Sequence, residues 1–407
     1  MMIADLHIHS RYSRATSQDM IIPKIAEYSK LKGIGMVATG DFTHPAWLKE
    51  LKKDLKFGDG VYEYGGIKFI LSVEVNNIYT RGGKLRRIHN IIFAPDFETV
   101  EKANKYLARY GKLEADGRPI LSLDTYDMFK ALIDISPDIF VVPSHIWTPW
   151  FSLFGSNSGF DSIDECFSDL KDKFFAVETG LSSDPAMNRR LSTLDNYTLV
   201  SNSDAHSPSR LGREANVFKE DLNYYQLRDV LKNKDRGKFL YTIEFYPEEG
   251  KYHFDGHRKC GVRLSPREAR FNNNLCPVCS RNITVGVMHR IETLADREEG
   301  FVPVNAIPYK NLVPLEEVIA EALDVGRDTV GVKNEYRKLC NIFGNEFEIL
   351  MNTPVDELKN NTQEKIALGI ERARRGDVII NPGYDGEFGK VRIFEEEKSS
   401  ESQLGLF

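Results

Sequence analysis

The chain has 407 residues, 41% hydrophobic and 28% charged, with a formal net charge of −6. That length implies two or three domains with full cores, and the acidic balance means that any nucleic-acid contact must come from a local basic surface. No apolar run approaches the roughly 18 residues of a membrane span, the opening MMIADLHIHS lacks the form of a signal peptide, and an odd count of five cysteines, three of them clustered, argues against a disulfide framework; the expected setting is cytoplasmic.

From residue 1 to about 245 one theme recurs. A short run rich in Ile, Val and Phe ends in a residue able to bind a metal: residues 2–6 lead to His7 and His9, 34–38 to Asp41, 69–73 to Glu74, 139–142 to Ser144-His145, 174–177 to Glu178, and 199–200 to Asp204 and His206. Helical patterns lie between several of these runs, as at 23–32 and 99–110. Short strands alternating with helices read as parallel β/α units, and in a β/α barrel the chemistry collects at the C-terminal strand edge. Strand side chains alternate, so His7 and His9 share a face and can grip one divalent ion. Asp204 and His206 repeat that spacing. Carboxylates that bridge cations complete such a centre, in which a water is activated and a phosphoryl transition state neutralised.

After residue 245 the texture changes. His257-x-x-Cys260 and Cys276-x-x-Cys279 have the two-pair spacing of a closed, structural zinc site, with His253 and His289 competing for the histidine place. Around it lie Arg258, Lys259, Arg263, Arg267, Arg270 and Arg281 against one acid, Glu268, a composition suited to phosphate-backbone contact. Residues 84–87 (Lys-Leu-Arg-Arg), with Arg86 and Arg87, form a second basic run just before His89. Residues 314–376 are helical in pattern, and 378–394 read as a hairpin. The expected division is 1–245, a barrel; 246–297, a zinc-binding basic module; 298–395, a mainly helical accessory domain with a terminal hairpin; and 396–407, a tail.

DLHIHS at 5–10, SVE at 72–74, PSH at 143–145 and SNSDAH at 201–206 resemble, in order, the motifs of the polymerase-and-histidinol-phosphatase (PHP) phosphoesterases. The resemblance implies a distorted seven-stranded (β/α)7 barrel carrying two or three divalent cations (Zn, Mg or Mn) beside one structural Zn. Its ligands transfer to His7, His9, Asp41, Glu74, His89, His145, Asp204 and His206, with His44 a substitute close to Asp41. Where many members have His or Asp soon after the first motif, this chain has Arg14 and Ala15. Asp19 is the nearest replacement, and it equally caps the helix that follows. Asp204, His206, Glu74 and Glu178 form the candidate catalytic group, Glu178 supporting it from behind.

The joint pattern is narrower. HSRYSRATSQDM, ATGDFTHPAWLKELK, GLSSDPAMNRRLS, SNSDAHSPSRLGREANVF and GHRKCGV…CPVC…GVMHRIETLADR closely resemble the endonuclease Q family through about residue 394. That resemblance implies nicking of DNA 5′ of deaminated bases (uracil, hypoxanthine, xanthine) and abasic sites; a small-molecule phosphatase of the histidinol-phosphatase kind is the alternative. Reading a base lesion requires lifting the nucleotide out of the stack, and Tyr79, Trp147 and Trp150 are the aromatic candidates, each equally readable as core packing. The final Gln403-Leu404-Gly405-Leu406-Phe407 resembles the start of a box that binds a sliding clamp (PCNA).

Overall fold

The structure is a computed structural model and describes residues 1–395; the clamp-like segment lies outside the described residues. The elements of the first half are β1 (Met2–Asp5), α1 (Ile22–Lys32), β2 (Met36–Ala38), α2 (Pro45–Asp54), β3 (Lys56–Gly58), β4 (Val61–Tyr64), β5 (Ile67–Arg81), β6 (Lys84–Ala94), α3 (Phe97–Leu107), β7 (Ile120–Leu121), α4 (Thr125–Ile135), β8 (Phe140–Pro143), α5 (Ile163–Phe167), β9 (Ala176–Glu178), α6 (Pro185–Asn188) and β10 (Thr198–Val200). There follow β11 (Ala215–Phe218), α7 (Tyr224–Asn233), β12 (Phe239–Glu244), β13 (Asp255–His257), β14 (Val262–Leu264), α8 (Pro266–Phe271), α9 (Val287–Leu294), β15 (Tyr309–Asn311), α10 (Leu315–Leu323), α11 (Val330–Phe343), α12 (Glu346–Met351), α13 (Val355–Asn361), α14 (Glu364–Arg375), β16 (Ile379–Asn381) and β17 (Lys390–Arg392). No helix among the described residues is long and apolar enough to cross a membrane.

This mixed α/β architecture centres on an 11-stranded sheet with the path β15-β12-β11-β1-β2-β5-β4-β3, to which β6, β7 and β8 attach through β5. The pairs β1–β2 and β2–β5 are parallel, as expected of β/α units. The chain then departs from that expectation. Gly82 and Gly83, both at positive φ (63° and 72°), make a two-residue turn that only residues without Cβ enter freely. The chain therefore returns antiparallel, in a ladder from Leu71↔Ala94 to Arg81↔Lys84. β8 joins β6 antiparallel, and β9–β10 form a separate parallel pair. Backbone bonds beyond the strand ends connect that pair to its neighbours: Ile146 N donates to Glu178 O (3.1 Å), and His9 N to Ala205 O (3.0 Å).

Apolar spacing explains the helices that flank the sheet. α1 buries Ile22, Ile25, Ala26 and Ser29, the i, i+3, i+4, i+7 stripe of an amphipathic helix. After β15, helices α10, α11 and α14 close a second core around Val318, Leu339, Ile366 and Ile370. A buried ion pair ties it to α1: Lys32 Nζ lies 2.5 Å from a Glu346 carboxylate that also accepts from Tyr336 Oη and Leu315 N. With its acceptors filled, this pair offsets the desolvation that a bare buried charge would suffer.

At the end of β12, burial pushes Glu244 up to about 8 despite hydroxyl donors from Ser201 and Thr242, and Glu214 well above its usual range. Between the ordinary Glu244 value of 4.5 and about 8 the folded chain holds a proton that the unfolded chain has released. This group's stabilisation is complete below 4.5 and is lost as pH rises through 8. Melting temperature is therefore expected to fall from pH 5 to 8, and Glu244→Gln to flatten that slope in calorimetric scans.

Candidate metal centre

The strand ends converge on a buried polar cluster. Three of its residues, Asp41, His145 and Asp204, have positive φ (53°, 28° and 47°). For non-glycine residues this conformation costs roughly 1–2 kcal/mol, and such strain concentrates where a side chain must be aimed. His7, His9 and Asp204 form one group whose ligand atoms lie within 4.8 Å of one another, and Glu74, His89 and His145 form a second. Glu74 stands between them. Its Oε2 is 3.6 Å from His7 Nε2 and 3.4 Å from His9 Nε2, while its Oε1 is 2.9 Å from His89 Nδ1 and 3.0 Å from His145 Nε2.

His7 Nε2, His9 Nε2 and Asp204 Oδ1 are buried without a hydrogen-bond partner, although His9 Nε2 and Asp204 Oδ1 approach to 3.0 Å. Orphaned buried atoms are rare, and close approach without alignment is what ligands directed at a common cation show. The donor set of imidazole and carboxylate fits a first-row divalent ion. The electrostatics agree: burial opposes ionisation of Glu74, yet His89, His7 and Arg118 hold it well below the usual carboxylate range. Burial likewise opposes ionisation of Asp204, and His9 and His7 lower it. His89, by contrast, is driven down to about 4, chiefly by burial.

Other expected ligands take different places. Asp41 stands behind His9: Oδ1 is 3.1 Å from His9 Nδ1, and Oδ2 accepts from Ser10 N, Ser10 Oγ and Ser13 Oγ. Held this way it orients an imidazole, and it stands outside both ligand groups. Glu178 holds His7 in the same way, with Oε1 3.0 Å from Nδ1, and accepts from Asn202 Nδ2 and His145 N. His206 packs 4.5 Å from the His9 ring with Nδ1 near the Asp204 carbonyl, at the rim. His44 stacks on Tyr12. Asp19 is exposed and joins neither group. Glu178→Ala, which removes the partner that fixes His7, is expected to weaken cation affinity by roughly 10- to 100-fold, read by titration calorimetry.

Arg118 is a site residue that sequence reasoning missed. Its Nη1 lies 3.1 Å from Glu74 Oε2, yet it sits in a loop before β7, outside every motif, and nothing local marks it. It lines a cavity of about 430 Å³ that opens from His89 and His145 toward Trp150, Lys251, Tyr252 and His253. Trp150 is 38% exposed and meets Tyr252 edge-on at 5.3 Å. The other aromatic candidates lie elsewhere: Trp147 is fully buried, donating from Nε1 to Asn188, and Tyr79 packs against the core with Arg81 over its ring.

His257, Cys260, Cys276 and Cys279 form the third ligand group. His289 is engaged instead by Asp255 (2.6 Å) and His253 lines the cavity, so neither joins it. The antiparallel pair β13–β14 presents His257 and leads into Cys260. Of the expected DNA-contacting cations, Arg258, Lys259, Arg267 and Arg270 are exposed, whereas Arg263 bonds Asn381 and Pro382 O. Arg86 is spent on Phe160 (4.0 Å) and Gly159 O, and Arg87 lies over Phe151; the hairpin of β5 and β6 folds them onto the neighbouring loop.

Residues 314–377 match the MJ0043 C-terminal domain family. Over 307 residues, 71% of this chain, the sequence is 34% identical to the uncharacterized protein MJ0043 of Methanocaldococcus jannaschii, and the chain spans 38% of that relative's length. Among solved structures it is similar to the lesion-specific endonuclease PfuEndoQ of Pyrococcus furiosus (TM-score 0.86, 34% identity, 97% of this chain and 96% of that one). It is equally similar to an endonuclease Q in complex with a 27-mer duplex substrate carrying an abasic lesion at the active site (TM-score 0.85, 34% identity, 99% of both chains). Matched over nearly its whole length at this identity, the chain belongs to the endonuclease Q family.

Proposed function

We propose that the chain is a metal-dependent endodeoxyribonuclease that nicks the phosphodiester bond 5′ of deaminated bases (uracil, hypoxanthine, xanthine) and abasic sites. The observation that carries this reading is the Glu74 carboxylate, one oxygen turned to His7 and His9 and the other to His89 and His145. In this reading β1, β2, β5, β6, β8, β9 and β10 form the distorted barrel whose mouth holds the site, 246–297 is the zinc module and 298–395 the helical domain. Divalent cations bound by the two groups would acidify a water and neutralise charge building on the phosphoryl oxygens.

The chain's own residues do the rest. Asp41 and Glu178 hold the His9 and His7 rings in register, so that each presents Nε2 to the mouth. Arg118, beside Glu74 at the cavity wall, supplies a fixed positive charge to a non-bridging phosphate oxygen. The cavity receives the extruded nucleotide against Trp150 and Tyr252, while Arg258, Lys259, Arg267 and Arg270 contact the backbone. The test is incubation of the protein with Mg²⁺, Mn²⁺ or Zn²⁺ and labelled duplexes bearing one uracil, hypoxanthine or abasic site. A single nick 5′ of the lesion is expected. Intact duplexes with every metal, alongside rapid turnover of a phosphomonoester, would sink the reading.

A further inference from the structure

The loop joining β16 to β17 has no part in the site as described, yet it is built onto one cavity wall. Gly383 N donates to Glu248 O (2.8 Å), Gly386 N to Lys251 O (3.0 Å) and Gly389 N to Glu249 O (3.1 Å). A Cβ on Gly383 or Gly389 would collide with the Gly250 or Glu248 carbonyl, so the contact is backbone to backbone. Asp385 fastens the other side, accepting from Arg258 N (2.6 Å) and from Thr284 Oγ1. The segment it grips, 247–252, supplies Pro247, Gly250, Lys251 and Tyr252 to the cavity that also contains His89 and His145.

From this fixed platform Phe388 projects into solvent, 70% exposed. Lys251 Nζ sits over its ring at 4.5 Å. An exposed aromatic on a rigid loop, joined through Lys251 to the cavity wall, is a poor choice for folding and a good one for binding. Lys390 follows at the start of β17, and Arg258, whose backbone N–H bonds Asp385, and its neighbour Lys259 are exposed as well, which favours a polyanionic partner.

We propose that Phe388 is the wedge that fills the gap in the base stack when a nucleotide is extruded into the cavity. The inference rests on the nuclease reading and adds a residue to it. Extrusion leaves two base pairs unstacked across an empty step, and an inserted apolar side chain recovers part of that lost contact. Base–aromatic stacking corresponds to roughly five- to a hundredfold in equilibrium.

The test compares the same uracil lesion in a fully paired duplex and in a short unpaired bubble. Phe388→Ala is expected to lower kcat/KM on the paired duplex by roughly tenfold or more and to cut the bubble within about threefold of the wild type, because an unpaired base needs no wedge. Phe388→Leu and Phe388→Trp should restore cutting of the paired duplex. 2-Aminopurine placed beside the lesion should brighten less on binding of Phe388→Ala than of the wild type. Equal losses on paired and bubble substrates, or no loss on either, overturn the proposal. A wild-type protein that cuts neither substrate overturns the nuclease reading itself, a result distinct from both.

Discussion

Glu74→Gln is expected to reduce lesion-dependent cleavage by more than about a thousandfold while leaving the fold and duplex affinity close to those of the wild type. The carboxylate is 1% exposed, and glutamine matches its shape, so packing survives. What changes is chemistry. An amide offers one oxygen and one NH2 group, and however it sits, either the His7–His9 side or the His89–His145 side faces hydrogens in place of a lone pair. A ligand group loses its shared anion, and the positive charge of Arg118 is left without its partner. Metal content by mass spectrometry should fall together with activity. A Glu74→Gln protein with native metal content and a native rate would show that the carboxylate bridges nothing.

Cys276→Ser should release about one zinc per chain and unfold the segment around it, with duplex affinity weakened more than about tenfold. The reason is the size of the local core: Leu264, Ala269, Cys276 and Ile283 are its buried members, with Cys260 and Val262 packed alongside. So few apolar side chains cannot hold β13, β14 and α8 in place, and metal ligation must supply the missing free energy. The exposed cations Arg258, Lys259, Arg267 and Arg270 ride on that scaffold and would scatter with it. Limited proteolysis should show new cuts between residues 255 and 285, with the remainder of the chain protected. If duplex affinity stays unchanged after the zinc is lost, the basic module is not the DNA-binding surface.

Much of the site was legible because ligands were read at strand ends. An alternating strand places residues of like parity on one face whatever the surroundings, so His7 with His9 follows from local geometry, and the Cys-x-x-Cys turn needs only its own backbone. Asp41 shows where such reading stops. It ends a strand as a ligand would, yet serine donors gather on one of its oxygens and His9 lies against the other. Asp19, a carboxylate at a plausible distance along the chain, is exposed and stands apart from both groups. Arg86 and Arg87 were read as phosphate contacts, but the Gly82–Gly83 turn folds them against the 151–160 loop.

By itself, the sequence determined which residue types arrive at which strand ends, the spacing of the zinc ligands and the apolar stripes of the helices, because these depend on separations of a few residues and on backbone periods of 2 and 3.6. Only the tertiary structure decided that Glu74 lies between two histidine groups, that Arg118 reaches it, and that Trp150 and Tyr252 wall one cavity. Those relations join residues dozens to more than a hundred positions apart. They depend on sheet order and on which hydrogen-bonding capacities are already filled, neither of which is encoded in any single stretch of chain.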